Sequence, residues 1–300
     1  MAAATAVGFI GLGNMGLPMA RNLLKAGYEV RGFDLSAEAM VALGEAGGTP
    51  AANVGEAAGG AEVVVTMLPE GRHVRGVYLD DDGILARAEC GALLVDCSTI
   101  DVETSRAVHQ AAAANGLAMV DAPVSGGVPG AETATLTFMV GGSDEAFERA
   151  RPVLEQMGKA VIHTGPAGNG QAAKICNNML LGIHMISVAE AFGLAARLGL
   201  PAEKLFEVSS RSSGQCWSLT SYCPVPGLVP NAASNRDFRP GFTAAMMLKD
   251  LKLAQAAALS VDASTPLGAE AFQLYTLFAA GGNEALDFSA IIRMIANKAS

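Results

Sequence analysis

The chain has 300 residues, 51% apolar and only 16% charged, with a formal net charge of −9. This composition folds into about two average globular domains, and the acidic balance excludes a nucleic-acid or anionic-membrane binder, which would carry a basic excess. The five cysteines (Cys90, Cys97, Cys176, Cys216 and Cys223) are odd in number and form no CxxC. Reduced thiols in a cytoplasmic protein are therefore expected, rather than a disulfide framework or a zinc site. No metal is expected, because the four histidines lie far apart. The opening MAAATAVGFIGLG has no basic segment and does not read as a secretion signal.

In chain order, short β-branched runs alternate with Ala-rich helical patterns. Predicted strands are 7–10, 29–33, 63–67, 93–96, 117–121, 138–140 and 161–163. Helices are predicted over 15–26, 37–43, 102–115 and 144–157. The strands are near-continuous apolar runs, as when helices cover both sheet faces. The alternation predicts an α/β Rossmann-type, doubly wound, mostly parallel sheet over 1–164. At residue 165 the strand signals stop, and an all-α domain is predicted over 165–300. Residues 170–198 read as one long helix, apolar almost all round and so buried among others. His184, Glu190 and Arg197 interrupt it, which argues against a membrane span. Its apolar circumference exceeds what one small domain covers, so a homodimer or homotetramer is expected. Further helices are predicted at 202–210, 242–260 and 266–280.

Gly11-Leu12-Gly13-Asn14-Met15-Gly16 lies between a predicted strand and a helix. Gly11 permits the tight turn, Gly13 lets backbone approach a pyrophosphate, and Gly16 allows close helix–strand packing. The helix N-terminus adds unpaired N–H groups and a positive dipole end. The second strand ends in Asp34, an acidic residue suited to the ribose hydroxyls of NAD. A 2′-phosphate would meet the charge of Asp34, and Arg31 points the other way along the strand, so NAD is expected over NADP. Leu68 and Pro69, after the third predicted strand, would line the cofactor. Cys97-Ser98-Thr99 follows the fourth. After the fifth, Ser125, Gly126 and Gly127 form either an anion-binding nest or an ordinary Gly-rich turn. Lys174 and Asn178 share a helix face at i,i+4. A lysine in an apolar helix either snorkels or has chemistry to do, and spacing does not choose between Asn177 and Asn178. Lys249-Asp250 by itself reads as a surface pair.

These motifs, in this order, resemble the β-hydroxyacid dehydrogenase family over essentially the whole chain. FIGLGNMGLPMARNLLKAG resembles its cofactor turn, DAPVSGGVPGAETATLTFMVGG its substrate loop, GNGQAAKICNNMLLG its catalytic helix and KDLKLA its cofactor-closing segment. The resemblance implies reversible, NAD-dependent oxidation of a small 3-hydroxy acid to its semialdehyde. It implies Lys174 as the acid/base, Asn178 as its partner on the substrate, and Ser125, Gly126 and Gly127 on the substrate carboxylate. Thr99 would sit beside nicotinamide and substrate, Lys249 would reach the cofactor, and Asp250 would lie beside the active site. Trp217 and Tyr222 fall where some relatives place pocket walls. Lys174 would accept the hydroxyl proton, so its pKa must fall from about 10.4. The plan puts the site in an interdomain cleft.

Within the family, L-serine oxidation and reduction of tartronate semialdehyde or glyoxylate remain open. An imine reductase of similar plan usually lacks the lysine. A non-catalytic NAD-binding module of this plan loses the lysine and carries basic extensions. 6-Phosphogluconate dehydrogenase needs a longer helical domain.

Overall fold

The computed structural model describes residues 5–296. It contains two compact units, Met1–Lys174 and Ile175–Ser300. In the first, the apolar runs become β1 (Ala6–Ile10), β2 (Glu29–Phe33), β3 (Thr49–Pro50), β4 (Val63–Thr66), β5 (Leu93–Asp96), β6 (Ala118–Asp121), β7 (Val124–Ser125), β8 (Leu136–Gly141) and β9 (Gly158–Gly165). The strand order is β3-β2-β1-β4-β5-β6-β8-β7, with β9 also paired to β8. Neighbours from β3 through β6 are parallel. β8 runs antiparallel to β6 and β7 and parallel to β9. The helices are α1 (Gly16–Lys25), α2 (Ala37–Glu45), α3 (Val54–Ala58), α4 (Gly71–Leu79), α5 (Ile84–Arg87), α6 (Val102–Ala114), α7 (Gly127–Glu132) and α8 (Asp144–Leu154).

Period-2 alternation explains why the central strands are apolar throughout. Val63, Val65, Leu93 and Val95 enter one core cluster. Val64 and Leu94, between them in sequence, enter another. Both faces are thus covered, as in a doubly wound sheet, and all the predicted strands are present. Periodicity does not reveal β3 and β7, of two residues each. It also misses the short α3, α5 and α7 and the polar α4.

α9 (Asn169–Arg197) is the long predicted helix, and the division between the units falls inside it. The first unit ends at Lys174 rather than at 164, because the first turn of α9 is built onto the sheet. Asp121, at the end of β6, is fully buried. Its carboxylate accepts the Gly168 amide at 2.8 Å and the Gln171 amide at 2.9 Å, with His109 Nε2 at 3.0 Å. The contact needs glycine on both sides. A Cβ at Gly170 would lie 2.4 Å from the Met139 carbonyl oxygen and 2.5 Å from that of Asp121. One at Gly141 would lie 2.6 Å from Asp121 Oδ1.

The second unit is helical, as expected: α10 (Ala202–Ser209), α11 (Trp217–Thr220), α12 (Ala244–Ser260), α13 (Pro266–Phe278) and α14 (Ile292–Ile295) follow the body of α9. Met185 and Ile186 of α9 pack with Met247, Leu251, Tyr275 and Phe288. Val188 and Phe192 pack with Leu219 and Cys223. α9 is long and apolar enough to cross a membrane by length and composition, yet it contributes to both of these cores, and 39% of the residues in its most apolar stretch are buried. The expectation of a helix buried all round needs correction. Leu180 and Leu194 remain 51% and 60% exposed, because the surrounding helices cover only part of its circumference.

Gly170→Ala should lower unfolding free energy by about 1–3 kcal/mol, since its methyl would press on rigid backbone. Gly13→Ala, whose Cβ would meet nothing within 4 Å, should stay within about 0.5 kcal/mol. Urea midpoints of the two variants check this.

Candidate active site

The cofactor side forms where β1, β2, β4 and β5 end. Gly11 adopts φ +93°, and a Cβ there would lie 2.3 Å from the Met67 carbonyl oxygen. Only glycine satisfies both constraints. A Cβ at Gly16 would stand 1.9 Å from the Gly11 carbonyl oxygen, so this glycine lets α1 start directly on the strand. Gly13 and Asn14 are exposed, while Leu12 is buried. Side chains of Ser36, Asn53, Asp101 and Ser143 cap α2, α3, α6 and α8. At α1 the capping position is Met15, with no side-chain cap and no acidic residue in the first turn. This open, uncapped turn fits a dinucleotide pyrophosphate, which would take the role of the missing cap.

Asp34 is fixed beside the turn. Its Oδ2 accepts the Leu12 amide at 2.6 Å and its Oδ1 the Ser36 amide at 2.8 Å. Arg31 is committed elsewhere: its Nη1 donates to the carbonyls of Glu56 and Gly59 at 3.0 and 2.9 Å. Leu68 reaches the turn too, since its side chain would lie 3.1 Å from a Cβ at Gly11. Pro69 follows it and is exposed.

Thr99 sits between two buried residues, Ser98 and Ile100. Ser98 is a junction. Its amide donates to Asp96 Oδ1 at 3.1 Å and its Oγ accepts the Leu68 amide at 2.8 Å. Its carbonyl accepts Gln171 Nε2 at 2.7 Å, while Gln171 Oε1 accepts the Ile100 amide at 3.0 Å. Thr66 Oγ1 donates to Asp96 at 2.8 Å and lies 3.0 Å from the buried Tyr78 hydroxyl. Asp96 Oδ2 makes no hydrogen bond. Burial lifts the Asp96 carboxyl to about 6, opposed by hydrogen bonds from Ser98 and Thr66 and reinforced by the charge of Asp121.

On the β7 side, Ser125 is half-buried. Gly126 and Gly127 have φ of +134° and +61°, where L side chains are strained. Gly126 is the capping position of α7 and offers no side-chain cap, so the first amides of α7 have no side chain of their own to pair with. Lys174 is only 7% exposed, one turn before the buried Asn178 on α9.

In the helical unit, Asn178 Nδ2 donates to Asp250 Oδ2 at 2.5 Å, and Asn178 Oδ1 accepts Asn177 Nδ2 at 3.0 Å. Asp250 is 4% exposed and its neighbour Lys249 is half-buried. The pair is therefore not the surface feature that its sequence alone implies, because α12 turns Asp250 onto α9. Trp217 is 52% exposed and stacks on Tyr222 with ring centroids 5.0 Å apart. The Tyr222 hydroxyl donates to Asp287 at 2.9 Å. Burial first, and then the Asp287 charge, push its pKa upward. Each of these two pairs is thus assembled within the helical unit, and the Trp217–Tyr222 stack is anchored through Asp287 rather than through Asn178.

Comparison with known proteins gives the arrangement a family. Residues 6–165 match the NAD binding domain of 6-phosphogluconate dehydrogenase. Residues 168–295 match the NAD-binding domain of NADP-dependent 3-hydroxyisobutyrate dehydrogenase. The chain is 52% identical to a 3-hydroxyisobutyrate dehydrogenase of Pseudomonas aeruginosa, covering 98% of this chain and 99% of the relative. The chain belongs to the 3-hydroxyisobutyrate dehydrogenase family. An NAD-dependent L-serine dehydrogenase of the same bacterium is 51% identical, covering 96% and 97% of the two chains. A solved Mycobacterium tuberculosis 3-hydroxyisobutyrate dehydrogenase with L-serine superposes with TM-score 0.94 at 49% identity, over 98% and 99% of the two chains. Both matched descriptions are of NAD-binding domains, and NAD is the cofactor of this oxidoreductase family.

Sequence reasoning overlooked Asp96, Asp121, Gln171 and Ser98 as site-building residues. A signal existed, since β5 and β6 are apolar runs that both end in aspartate. A buried acid whose pKa rises on folding binds a proton more readily when folded. Below the unfolded value near 4 it costs nothing, and its destabilisation grows as pH rises toward about 6. Asp96→Asn, which keeps the accepting oxygen, should gain on wild type by about 2–3 kcal/mol between pH 4 and pH 7. Denaturation of both proteins across that range checks the sign; a constant difference contradicts it.

Proposed function

We propose that the protein oxidises a short 3-hydroxy carboxylic acid of the 3-hydroxyisobutyrate type to its semialdehyde, with Lys174 as acid/base. The observation that carries this is the burial of Lys174 on α9, one turn from an Asn178 that Asp250 holds. An amine held out of bulk water at this place, beside a fixed amide, is positioned to exchange a proton with a bound hydroxyl. NAD, when bound, supplies the acceptor for the electrons that leave the carbinol carbon. Gly11 to Gly16 with Asp34 would hold its pyrophosphate and ribose, Leu68, Pro69 and Thr99 would line its nicotinamide end, and Lys249 would add a cation. The Ser125–Gly127 turn binds the substrate carboxylate and so fixes which carbon is presented. Lys174 removes the hydroxyl proton in oxidation and returns it in reduction. Asn178 holds the substrate hydroxyl, and Asp250 holds Asn178. Trp217 on Tyr222 forms an aromatic wall.

L-Serine is the second reading. It shares the carboxylate and the primary alcohol, and one relative carries that name while a solved relative was obtained with it. We further place the enzyme in the cytoplasm as a homodimer or homotetramer. Five free cysteines support the first, and the uncovered Leu180, Leu194 and Leu198 support the second.

Lys174→Ala should fold and bind NAD but lose about 10²–10⁴-fold in kcat. Retention of more than about a tenth of wild-type turnover removes Lys174 from the acid/base role. Steady-state rates with 3-hydroxyisobutyrate and L-serine rank the two substrates. Because Asp34 would repel a 2′-phosphate, kcat/KM should favour NAD over NADP by about tenfold or more, or about 1.4 kcal/mol. Equal values, or NADP ahead, contradict the placement of Asp34 on the ribose.

A further inference from the structure

We propose that Gln171 is a positioning residue that sets Thr99 against Lys174. The proposal rests on the acid/base reading of Lys174 and on the nicotinamide-side placement of Thr99. Gln171 is completely buried in the first turn of α9. Its side-chain amide makes both of its bonds to one short stretch of backbone, the carbonyl of Ser98 and the amide of Ile100. These are the peptide groups on either side of Thr99. Its own backbone amide is held by Asp121 Oδ2.

The clamp is specific to the primary amide. Ser98 offers only an acceptor and Ile100 only a donor, so the matching side chain must donate and accept at once. A hydrocarbon there would leave both backbone groups buried and unpaired, which folded proteins avoid. Ser98 is further tied to Asp96 and to the Leu68 amide. Displacing Gln171 therefore frees the two peptide groups that flank Thr99 while the neighbouring strand end stays anchored. Lys174 lies three residues further along α9, on the same helix face as Gln171. One side chain thus connects the loop beside the nicotinamide to the helical turn that carries the base. Reacting groups misplaced by about 1 Å can lose about 10²-fold in rate.

The test compares Gln171→Leu, the isosteric Gln171→Glu and Lys174→Ala in the full chain. Amide exchange at Ile100 is read first, without cofactor. It should speed up by about tenfold or more in Gln171→Leu, and less in Gln171→Glu, which keeps an accepting oxygen. NADH affinity, measured by its fluorescence, and the KM of the hydroxy acid should move less than about threefold. By contrast, kcat should fall about 10- to 100-fold in Gln171→Leu and less in Gln171→Glu. Deuteration of the carbinol carbon should slow the variants by a larger factor than wild type, since the chemical step becomes limiting. Unchanged kcat, isotope effect and Ile100 exchange in a folded variant overturn the proposal. So does a loss confined to NADH affinity. Lys174→Ala inactive beside a fully active Gln171→Leu overturns this proposal alone; an active Lys174→Ala overturns the acid/base reading and this proposal with it.

Discussion

The Asp121 carboxylate has left water entirely and recovers its hydration as hydrogen bonds from the Gly168 and Gln171 amides, with the His109 imidazole on the same oxygen as Gly168. A buried carboxylate is tolerated only when so paired. Its partners are two of the unpaired amides that every helix presents at its N-terminus, where negative charge is also favoured by the dipole. The start of α9 is therefore fixed to the end of β6. With it are fixed the rotation and depth of the turn that carries Gln171 and Lys174. The glycines at 141 and 170 follow from the same constraint, because any Cβ at either position would occupy the space of the carboxylate or its backbone.

The neighbouring strand end solves a similar problem differently. Asp96 pairs in register with Asp121, and two adjacent buried carboxylates cannot both be ionised cheaply. Asp121 takes the helix amides. Asp96 takes Thr66 and Ser98, leaves one oxygen unpaired, and has its pKa raised. Ser98 then passes the fixed position of β5 to Leu68 on one side and to Gln171 on the other. The result is a polar layer beneath the parallel strand ends, where open α/β sheets place their ligands. It supports Thr99 and Leu68, the residues assigned to the nicotinamide end.

The helical unit uses the same device once more. Asp250 fixes the amide of Asn178, so the amide orientation is set before any substrate arrives. Asp287 does the same for the Tyr222 hydroxyl and, through it, for the Trp217 stack. In each case a buried carboxylate limits the freedom of a group in the proposed site. Preorganisation of this kind reduces the ordering cost of binding.

The sequence by itself determined the strands of the parallel sheet, the Gly11–Gly16 turn with its acidic partner, the long helix with Lys174 and Asn178, and the family. All of these are local: unbroken apolar runs mark strands covered on both faces, and a glycine turn between strand and helix needs only its own neighbours. The tertiary structure alone decided the roles of Asp96, Asp121 and Gln171, and the burial of Asp250. Gly168 lies 47 residues from Asp121, Gln171 73 from Ser98, and Asn178 72 from Asp250. No periodicity spans such separations. Which buried donor meets which buried acceptor is fixed only when the strand ends and the helix are brought together. The half-covered circumference of α9 is likewise a tertiary result, because hydropathy reports how apolar a helix is and not how much of it other elements reach.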